Sequence, residues 1–153
     1  MSAIARWFIA NGYTLAGYDK TATQLTNALQ VEGIAVHFTD DISLIPTAFL
    51  RNPSETLIVY TPAIPKDHKE FNYLKESGFT LMKRSQVLGL LTQNFFTIAV
   101  AGTHGKTTTS SMVAHILKNA GKNVTAFLGG ITQNYGTNFL VNEGSENVIC
   151  VVE

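Results

Sequence analysis

The sequence has few charged residues and a single cysteine, and each shortage excludes a class of protein. Only 14% of the 153 residues are charged, against about 25% in an ordinary globular domain, so much of the chain is expected to be buried. The 11 basic and 11 acidic residues cancel to a net charge of +0. This argues against a nucleic-acid-binding surface, because such a surface needs a basic excess. Cys150 alone cannot form a disulfide framework or a Cys-x-x-Cys metal knuckle.

Long apolar runs are also missing. No run approaches the roughly 18 residues that a membrane-spanning helix needs, and residues 1–6 have neither the basic start nor the apolar core of a signal peptide. We therefore expect a cytoplasmic globular protein without membrane insertion. Its length suits one ordinary domain or two short ones.

Helical and strand-like patterns alternate along the chain, which predicts an α/β fold with a largely parallel sheet. The helices are expected over residues 2–11, 22–32, 67–77, 84–93 and 106–120, and the strands over 13–18, 34–38, 56–60, 95–101, 124–128 and 147–152. A boundary near Gln93-Asn94 divides the chain into predicted domains 1–93 and 94–153. Because the chain opens on a helix and stops on a buried strand, we expect it to be a segment of a longer protein.

The strongest motif is AGTHGKTTT over residues 101–109, between an apolar strand and an amphipathic helix. Glycines let backbone amides approach phosphate oxygens, and a helix N-terminus adds about half a positive charge. Lys106 fits the lysine that reaches the β- and γ-phosphates, and Thr107 fits the hydroxyl that ligates Mg²⁺. The strict phosphate-loop pattern fails at Val100, which occupies its first glycine position. The strand and helix around the motif nevertheless favour nucleotide binding over an ordinary turn.

A second candidate is Glu153, at the carboxyl end of the apolar strand 148–152. Ligands of open α/β sheets bind outside the carboxyl ends of strands, and an acid there can hold Mg²⁺. From its position alone, Glu153 is equally well interpreted as a solvated side chain at the end of a strand.

Seven segments of the chain together resemble the Mur ligase family. They are SAIARW at 2–7, AGYD at 16–19, YTPAIP at 60–65, Arg84, AGTHGKTTTSSM at 101–112, LGGITQNYGTN at 128–138 and VVE at 151–153. The phosphate block with His104 is fairly specific to the muramate-carboxylate members of the family. The other segments mainly define the register.

The resemblance implies a Rossmann-like domain that holds a UDP-linked substrate, followed by the start of a P-loop ATPase α/β domain. Family members carry a strand and a glycine-rich loop just before the Met-Ser helix start. From the resemblance we therefore expect these 153 residues to lack the first strand of the Rossmann-like sheet. We also expect them to lack the third domain of the family, which binds the incoming amino acid, and the histidine ligand downstream of Glu153.

The implied reaction is ATP-dependent amide formation, as in the members that join L-alanine to the lactyl carboxylate of UDP-N-acetylmuramate. The implied catalytic residues are Lys106 and Glu153. Thr107 is implied to hold one Mg²⁺, and Glu153 to ligate a second Mg²⁺ near the acyl phosphate. The residues implied to bind ATP are Gly102, Thr103, His104, Gly105, Lys106, Thr107 and Thr108. Those implied to bind the UDP-sugar substrate are Asp19, Thr61, Pro62, Ala63, Ile64 and Asn138.

Other functions remain open at this point. A recycling ligase that attaches a tripeptide to the same UDP-sugar shares the THGKTTT block, and the YTPAIP and GTN segments favour L-alanine over it. A non-catalytic module that only holds a nucleotide is the alternative from another class. A small P-loop kinase is more remote, because it would place the phosphate loop near its N-terminus.

Overall fold

A computed structural model of the chain describes residues 1–142, 144 and 147–153. The chain is a mixed α/β structure with parallel strands, which confirms the predicted fold class. It divides into two compact units, one formed by residues 1–13 with 89–153 and the other by residues 14–88. The first helix therefore belongs to the same unit as the phosphate loop. The domain limits 1–93 and 94–153 stay a prediction.

The predicted helices and strands occur in the predicted order. The helices are α1 Ser2–Ala10, α2 Gln24–Val31, α3 Thr47–Arg51, α4 Lys69–Glu76, α5 Arg84–Thr92 and α6 Lys106–Asn119. The strands are β1 Ala16–Tyr18, β2 Ala35–His37, β3 Leu57–Tyr60, β4 Thr80–Lys83, β5 Phe96–Ala99, β6 Val124–Phe127, β7 Phe139–Leu140 and β8 Ile149–Val152. Of these, α3, β4 and β7 are elements that the sequence pattern did not predict. Short 3₁₀ turns lie at Ile42–Leu44 and Pro53–Glu55. Among the described residues, no helix is both long and apolar enough to cross a membrane.

Local sequence explains several helix ends. Thr23 and Thr26 form a reciprocal capping box at the start of α2, which satisfies backbone amides that have no partner inside the helix. Gly121 follows α6 with a φ of 72°. A glycine adopts this left-handed conformation without the steric cost of a side chain, so it ends the helix.

The unit of residues 14–88 contains two parallel strand pairs. β1 pairs with β2 and β3 pairs with β4, and within the described residues no strand joins the pairs into one sheet.

β3 is less buried than its apolar sequence predicts. The run TLIVY suggests a strand covered on both faces, yet Leu57 is 38% exposed and the other residues of β3 are half-buried. Within the described residues β3 has a hydrogen-bonded neighbour on one side only, which is β4.

The other unit contains a four-stranded sheet in the order β5-β8-β6-β7. β8 is parallel to both of its neighbours, and β7 runs antiparallel to β6 along the edge. Cys150 lies in the middle of the sheet, opposite Thr97 on β5 and Thr125 on β6. Because β5, β6 and β8 are parallel, the segments that follow them emerge at one edge of the sheet.

Helix α6 packs on this sheet with only part of its predicted apolar face, which is Met112, Val113, Ile116, Leu117 and Ala120. Of these, Val113 and Leu117 lie against the core of the sheet. Ser110 and Ala114 are fully buried, whereas Met112 and Ile116 are 58% and 62% exposed. Ala114 belongs to a core cluster with the strand residues Val124, Ala126, Leu128, Leu140 and Val151. Small side chains at positions 110 and 114 allow the helix to lie close to the sheet. The apolar pattern therefore predicts the contacts of Val113 and Leu117, but neither the burial of Ser110 nor the exposure of Met112 and Ile116.

Candidate phosphate and metal site

The loop after β5 has the backbone conformation that its glycines permit. Gly102 has a φ of 148° and Gly105 a φ of 73°, values that residues with side chains rarely adopt. Gly105 is also the residue that precedes the first turn of α6. Because glycine has no side chain to cap the helix, the first amides of α6 are left for water or an anion.

Lys106 is held at this loop by backbone carbonyls. Its Nζ donates to the carbonyl oxygen of Gly102 over 2.8 Å and to that of Thr103 over 3.4 Å. The ammonium charge therefore stays beside the loop and the first turn of α6. A cation and uncapped helix amides in one place favour the binding of a polyanion such as a nucleotide phosphate.

Glu153 receives three hydrogen bonds on its carboxylate. Thr107 Oγ1 donates to Oε1 over 2.8 Å. Ser110 Oγ and the Gly129 amide each lie 3.2 Å from Oε2. Glu153 is therefore half-buried and hydrogen-bonded to the phosphate-loop helix, and is not a strand end in contact with solvent alone.

The fold explains why these residues meet. Glu153 follows β8, Gly129 lies two residues beyond β6, and Thr107 is in the first turn of the helix that follows β5. The three strands are parallel neighbours, so their carboxyl ends share one edge of the sheet. This edge is where ligands of open α/β sheets bind.

The glycine at position 129 leaves room for the Glu153 carboxylate. A Cβ added there would lie 2.3 Å from Glu153 Oε1, which is closer than atoms that are not bonded to one another can approach. At the neighbouring Gly130 an added Cβ would lie 3.3 Å from Thr107 Cγ2. Both glycines therefore let the segment after β6 pass close to the site.

The donor set suits Mg²⁺ bound together with a nucleotide. Hydroxyl and carboxylate oxygens are the hard ligands that Mg²⁺ prefers, and proteins usually bind it with one or two carboxylates plus substrate phosphates. Thr107 and Glu153 supply one oxygen of each kind in contact with the other. Within the described residues, no three His, Cys, Asp or Glu side chains cluster to hold a metal ion unaided. The residues thus fit a metal whose remaining ligands come from phosphate and water.

An open cleft lies beside the phosphate loop, along the exposed side of α6. Its volume is about 570 Å³, and it is bounded by Thr107 and Thr108 at one end and by residues 131–135. Tyr135 anchors that segment to α6, with its hydroxyl 2.8 Å from His115 Nδ1. Thr107 is therefore accessible from solvent on this side.

The other predicted residues fall into two groups. The residues predicted to bind ATP and Mg²⁺ all lie in the unit of residues 1–13 and 89–153. They are Gly102, Thr103, His104, Gly105, Lys106, Thr107, Thr108 and Glu153, of which Thr103, His104 and Thr108 are exposed. Asp19 follows β1, and residues 61–64 follow β3, in the other compact unit. The binding roles of all these residues stay predictions.

Asn138 is more enclosed than its predicted contact with substrate suggests. It is 6% exposed; its Nδ2 donates to Ser2 Oγ over 2.8 Å and its Oδ1 accepts from Arg6 Nη1 over 2.6 Å. Both partners lie on α1. Asn138 therefore joins this helix to the strand segment at the sheet edge, and its predicted role in substrate binding is not tested by these contacts.

Sequence reasoning missed Ser110. The residue follows Thr107 by three positions, so on a helix the two side chains lie on one face. That spacing was the available signal. In the sequence, however, Ser110 is one of five consecutive hydroxyl residues, TTTSS at 107–111. Only the hydrogen bond to Glu153 in the folded chain distinguishes it from the others.

Comparison with known proteins adds a family to this geometry. Residues 1–96 match the family described as Mur ligase family, catalytic domain, and residues 100–151 match the Mur ligase middle domain. The chain is 56% identical over 152 residues to the UDP-N-acetylmuramate–L-alanine ligase of Cytophaga hutchinsonii, covering 99% of this chain and 32% of that protein. It is 51% identical to the ligase of the same name from Christiangramia forsetii, covering 97% of this chain and 33% of that protein. The chain thus spans about a third of the length of the curated relatives it matches.

Two solved structures share the fold. The UDP-N-acetylmuramate–alanine ligase of Thermotoga maritima superposes with a TM-score of 0.80 at 29% identity, over 99% of this chain and 34% of that one. A UDP-N-acetylmuramate:L-alanyl-gamma-D-glutamyl-meso-diaminopimelate ligase from Neisseria meningitides has a TM-score of 0.85 at 23% identity, over 100% of this chain and 48% of that one. The second likeness concerns the fold alone. Since the two family matches together span residues 1–96 and 100–151, the chain belongs to the Mur ligase family.

Proposed function

We propose that this chain is the part of an ATP-dependent ligase that binds the nucleotide phosphates, in an enzyme that joins L-alanine to the lactyl carboxylate of UDP-N-acetylmuramate. The observation that carries the proposal is the contact between Thr107 and Glu153 at 2.8 Å beside the lysine loop. The names of relatives that are 56% and 51% identical support L-alanine as the incoming amine. The reaction belongs to the formation of cell-wall peptidoglycan precursors in the cytoplasm.

ATP and Mg²⁺ are the proposed co-substrate and metal. Thr107 and Glu153 would hold Mg²⁺, and residues 102–108 would surround the phosphates. Mg²⁺ bound there would neutralise charge on the phosphate oxygens. Lys106 contributes a further positive charge at the same place, with its ammonium already held at the loop.

The charges explain why such a site is needed. The lactyl carboxylate attacks the γ-phosphorus, the bond to the β-phosphate oxygen breaks, and ADP leaves with an acyl phosphate on the sugar. The amino group of L-alanine then displaces inorganic phosphate and loses a proton, which forms the amide. An anionic carboxylate must approach a polyanionic triphosphate, so cationic groups at the γ-phosphate lower the barrier.

The UDP-sugar contacts are proposed at Asp19, Thr61, Pro62, Ala63, Ile64 and Asn138. Asp19 and residues 61–64 follow strands β1 and β3, at carboxyl ends where α/β sheets bind ligands. The substrate and activity of the whole enzyme are part of this proposal.

Titration calorimetry with Mg·ATP tests the phosphate site. The chain should bind Mg·ATP, and Lys106→Ala should weaken binding about 10- to 150-fold, because a hydrogen bond to a charged group contributes about 1.5–3 kcal/mol. Lys118→Ala is the matched control: Lys118 is on the same helix but lies over the ring of Tyr135, 5.0 Å from its centroid. No heat from the unaltered chain would remove the claim that these residues bind ATP.

A chimera tests the reaction. The corresponding third of the Cytophaga hutchinsonii ligase is replaced by this chain, and ADP release is measured with UDP-N-acetylmuramate and either L-alanine or the tripeptide. We expect turnover with L-alanine, and none when Lys106 is changed to Ala. Turnover with the tripeptide alone would overturn the assignment of the amine. The 153-residue chain without the rest of the ligase should show no turnover.

A further inference from the structure

Ser110 is a fully buried polar residue with no role in the proposed chemistry so far. Its side chain is 0% exposed, and buried hydroxyls in proteins are hydrogen-bonded. Two acceptors lie at 3.2 Å from its Oγ, the carbonyl oxygen of Thr107 and Glu153 Oε2.

One hydroxyl has one hydrogen, so the two acceptors compete for it. The Thr107 carbonyl is a neutral acceptor inside α6, whereas Glu153 Oε2 belongs to a carboxylate. Hydrogen bonds to an ionised acceptor are about twice as strong as neutral ones. The hydrogen of Ser110 is therefore assigned to Glu153.

The two oxygens of Glu153 have different partners. Oε1 accepts from Thr107 Oγ1 at 2.8 Å, and Oε2 accepts from Ser110 Oγ and the Gly129 amide, each at 3.2 Å. Thr107 is itself a proposed metal ligand. Ser110 and Gly129 are not, so they can keep Oε2 in place while Oε1 contacts a cation.

We propose that Ser110 is a positioning residue that, together with the Gly129 amide, holds the Glu153 carboxylate so that Oε1 stays beside Thr107 for Mg²⁺ bound with nucleotide. The inference rests on the proposed function. It adds a residue three positions beyond Thr107 whose effect passes through Glu153 and not through contact with the nucleotide.

A purely structural role would look different. Ser110 also packs between α6 and the sheet, so removing its hydroxyl could loosen the helix and weaken all ligand binding alike. A role through Glu153 predicts a loss confined to the contribution of Mg²⁺. Nucleotide affinity measured with and without the metal separates the two.

The experiment is titration of the chain with ATP in excess Mg²⁺ and again in EDTA. The unaltered chain should bind more tightly with Mg²⁺. Ser110→Ala should lose about tenfold of that gain while its affinity in EDTA changes less than about twofold, since one charge-assisted bond is removed. Ser110→Cys, which keeps a weak donor and adds little volume, should lose less of the gain than Ser110→Ala. The control is Ser111→Ala, at the adjacent serine, which is half-buried. This variant should bind ATP like the unaltered chain.

A double-mutant cycle completes the test. In a Glu153→Ala background, Ser110→Ala should cause no further loss of the Mg²⁺-dependent gain. If Ser110→Ala fails to fold in thermal melts, Ser110→Cys replaces it, because cysteine keeps the volume and is a weaker donor.

The failures are distinguishable. Equal losses with Mg²⁺ and in EDTA, or an unchanged gain in Ser110→Ala, would overturn the positioning role and leave the proposed function standing. Absence of any Mg²⁺-dependent nucleotide binding in the unaltered chain would overturn the proposed metal site, and this inference with it.

Discussion

The hydroxyl of Thr107 donates to Glu153 Oε1 over 2.8 Å, although 46 residues separate the two along the chain. Thr107 follows β5 and Glu153 follows β8, and these strands are parallel neighbours. The contact is thus a consequence of sheet order. It brings a hydroxyl and a carboxylate to the end of a loop that already holds a lysine.

Gly129→Ala should weaken Mg²⁺-dependent nucleotide binding without deleting any functional group. The new Cβ would lie 2.3 Å from Glu153 Oε1, so the flexible carboxylate must move away from Thr107. We expect a loss of about tenfold in affinity with Mg²⁺, corresponding to one displaced charged ligand, and little change in EDTA. Calorimetry measures both.

Gly130→Ala is the comparison for this variant. Its Cβ would meet Thr107 Cγ2 at 3.3 Å, a contact that a shift of a few tenths of an ångström relieves. Gly130→Ala is therefore expected to lose less Mg²⁺-dependent nucleotide affinity than Gly129→Ala. An equal or larger loss there would show that crowding of the loop, and not the Glu153 carboxylate, is responsible.

Asn138→Ala should destabilise the unit of residues 1–13 and 89–153. Asn138 donates to the buried Ser2 hydroxyl at 2.8 Å and accepts from Arg6 at 2.6 Å. Loss of a buried hydrogen-bonding partner costs about 1–3 kcal/mol in the free energy of unfolding. Urea unfolding of the chain measures it. The control is Asn134→Ala, an exposed asparagine in the same connection, and equal stability of the two variants would contradict the prediction.

Asp40→Asn should lower the stability of the unit of residues 14–88 at neutral pH. The Asp40 carboxylate accepts from the amides of Lys69 at 2.9 Å and Glu70 at 3.0 Å, the first two residues of α4. A side chain that bonds the amides at a helix start contributes about 0.5–2 kcal/mol. Thermal melts of Asp40→Asn and the parent chain give the difference.

The same carboxylate predicts a pH dependence. Burial raises the pKa of Asp40, but the amides of Glu70 and Lys69 and the nearby charges of His68 and Lys69 together outweigh it. The pKa therefore lies below its ordinary value of 3.8. A group whose pKa is lowered by folding contributes stability above its unfolded pKa and loses it as the pH falls through the folded pKa. The parent chain should therefore lose stability below about pH 4 more steeply than Asp40→Asn. Asp67→Asn, which removes a charge near the same helix but keeps the Asp40 bonds, should retain the steep loss.

Cys150 should resist thiol reagents in the folded chain. It is fully buried in the centre of the sheet, and this burial raises the pKa of the thiol to about 11. At pH 8 about one thiol in a thousand would then be ionised, and the thiolate is the reactive form. Labelling with a chromogenic disulfide should be slow in buffer and complete in denaturant. Rapid labelling of the native chain would show that the strand opens.

The phosphate loop could be predicted because its signal is local. Gly102, Gly105, Lys106 and Thr107 are contiguous with an apolar strand and a helix, and each residue type has a conformational or chemical reason for its position. The role of Glu153 was harder to predict. A carboxylate at a strand end can be a metal ligand or a solvated side chain, and the sequence does not show which strand lies beside it.

Helix α6 shows why other features could not be predicted. Periodicity places Met112 and Ile116 on one face and Ser110 and Ala114 on another, but it does not say which face meets the sheet. The short strands β4 and β7 were missed for a related reason. Runs of four and two residues carry too little pattern, and pairing with a neighbour stabilises them.

From its amino acids alone, this chain could be assigned an α/β fold, the loop at residues 101–109 and a resemblance to the Mur ligases, because short-range spacing and composition carry that information. The strand order β5-β8-β6-β7 placed Ser110, Gly129 and Glu153 together. That meeting depends on contacts between residues far apart in the chain, and such contacts leave no periodic signal in the segments that make them.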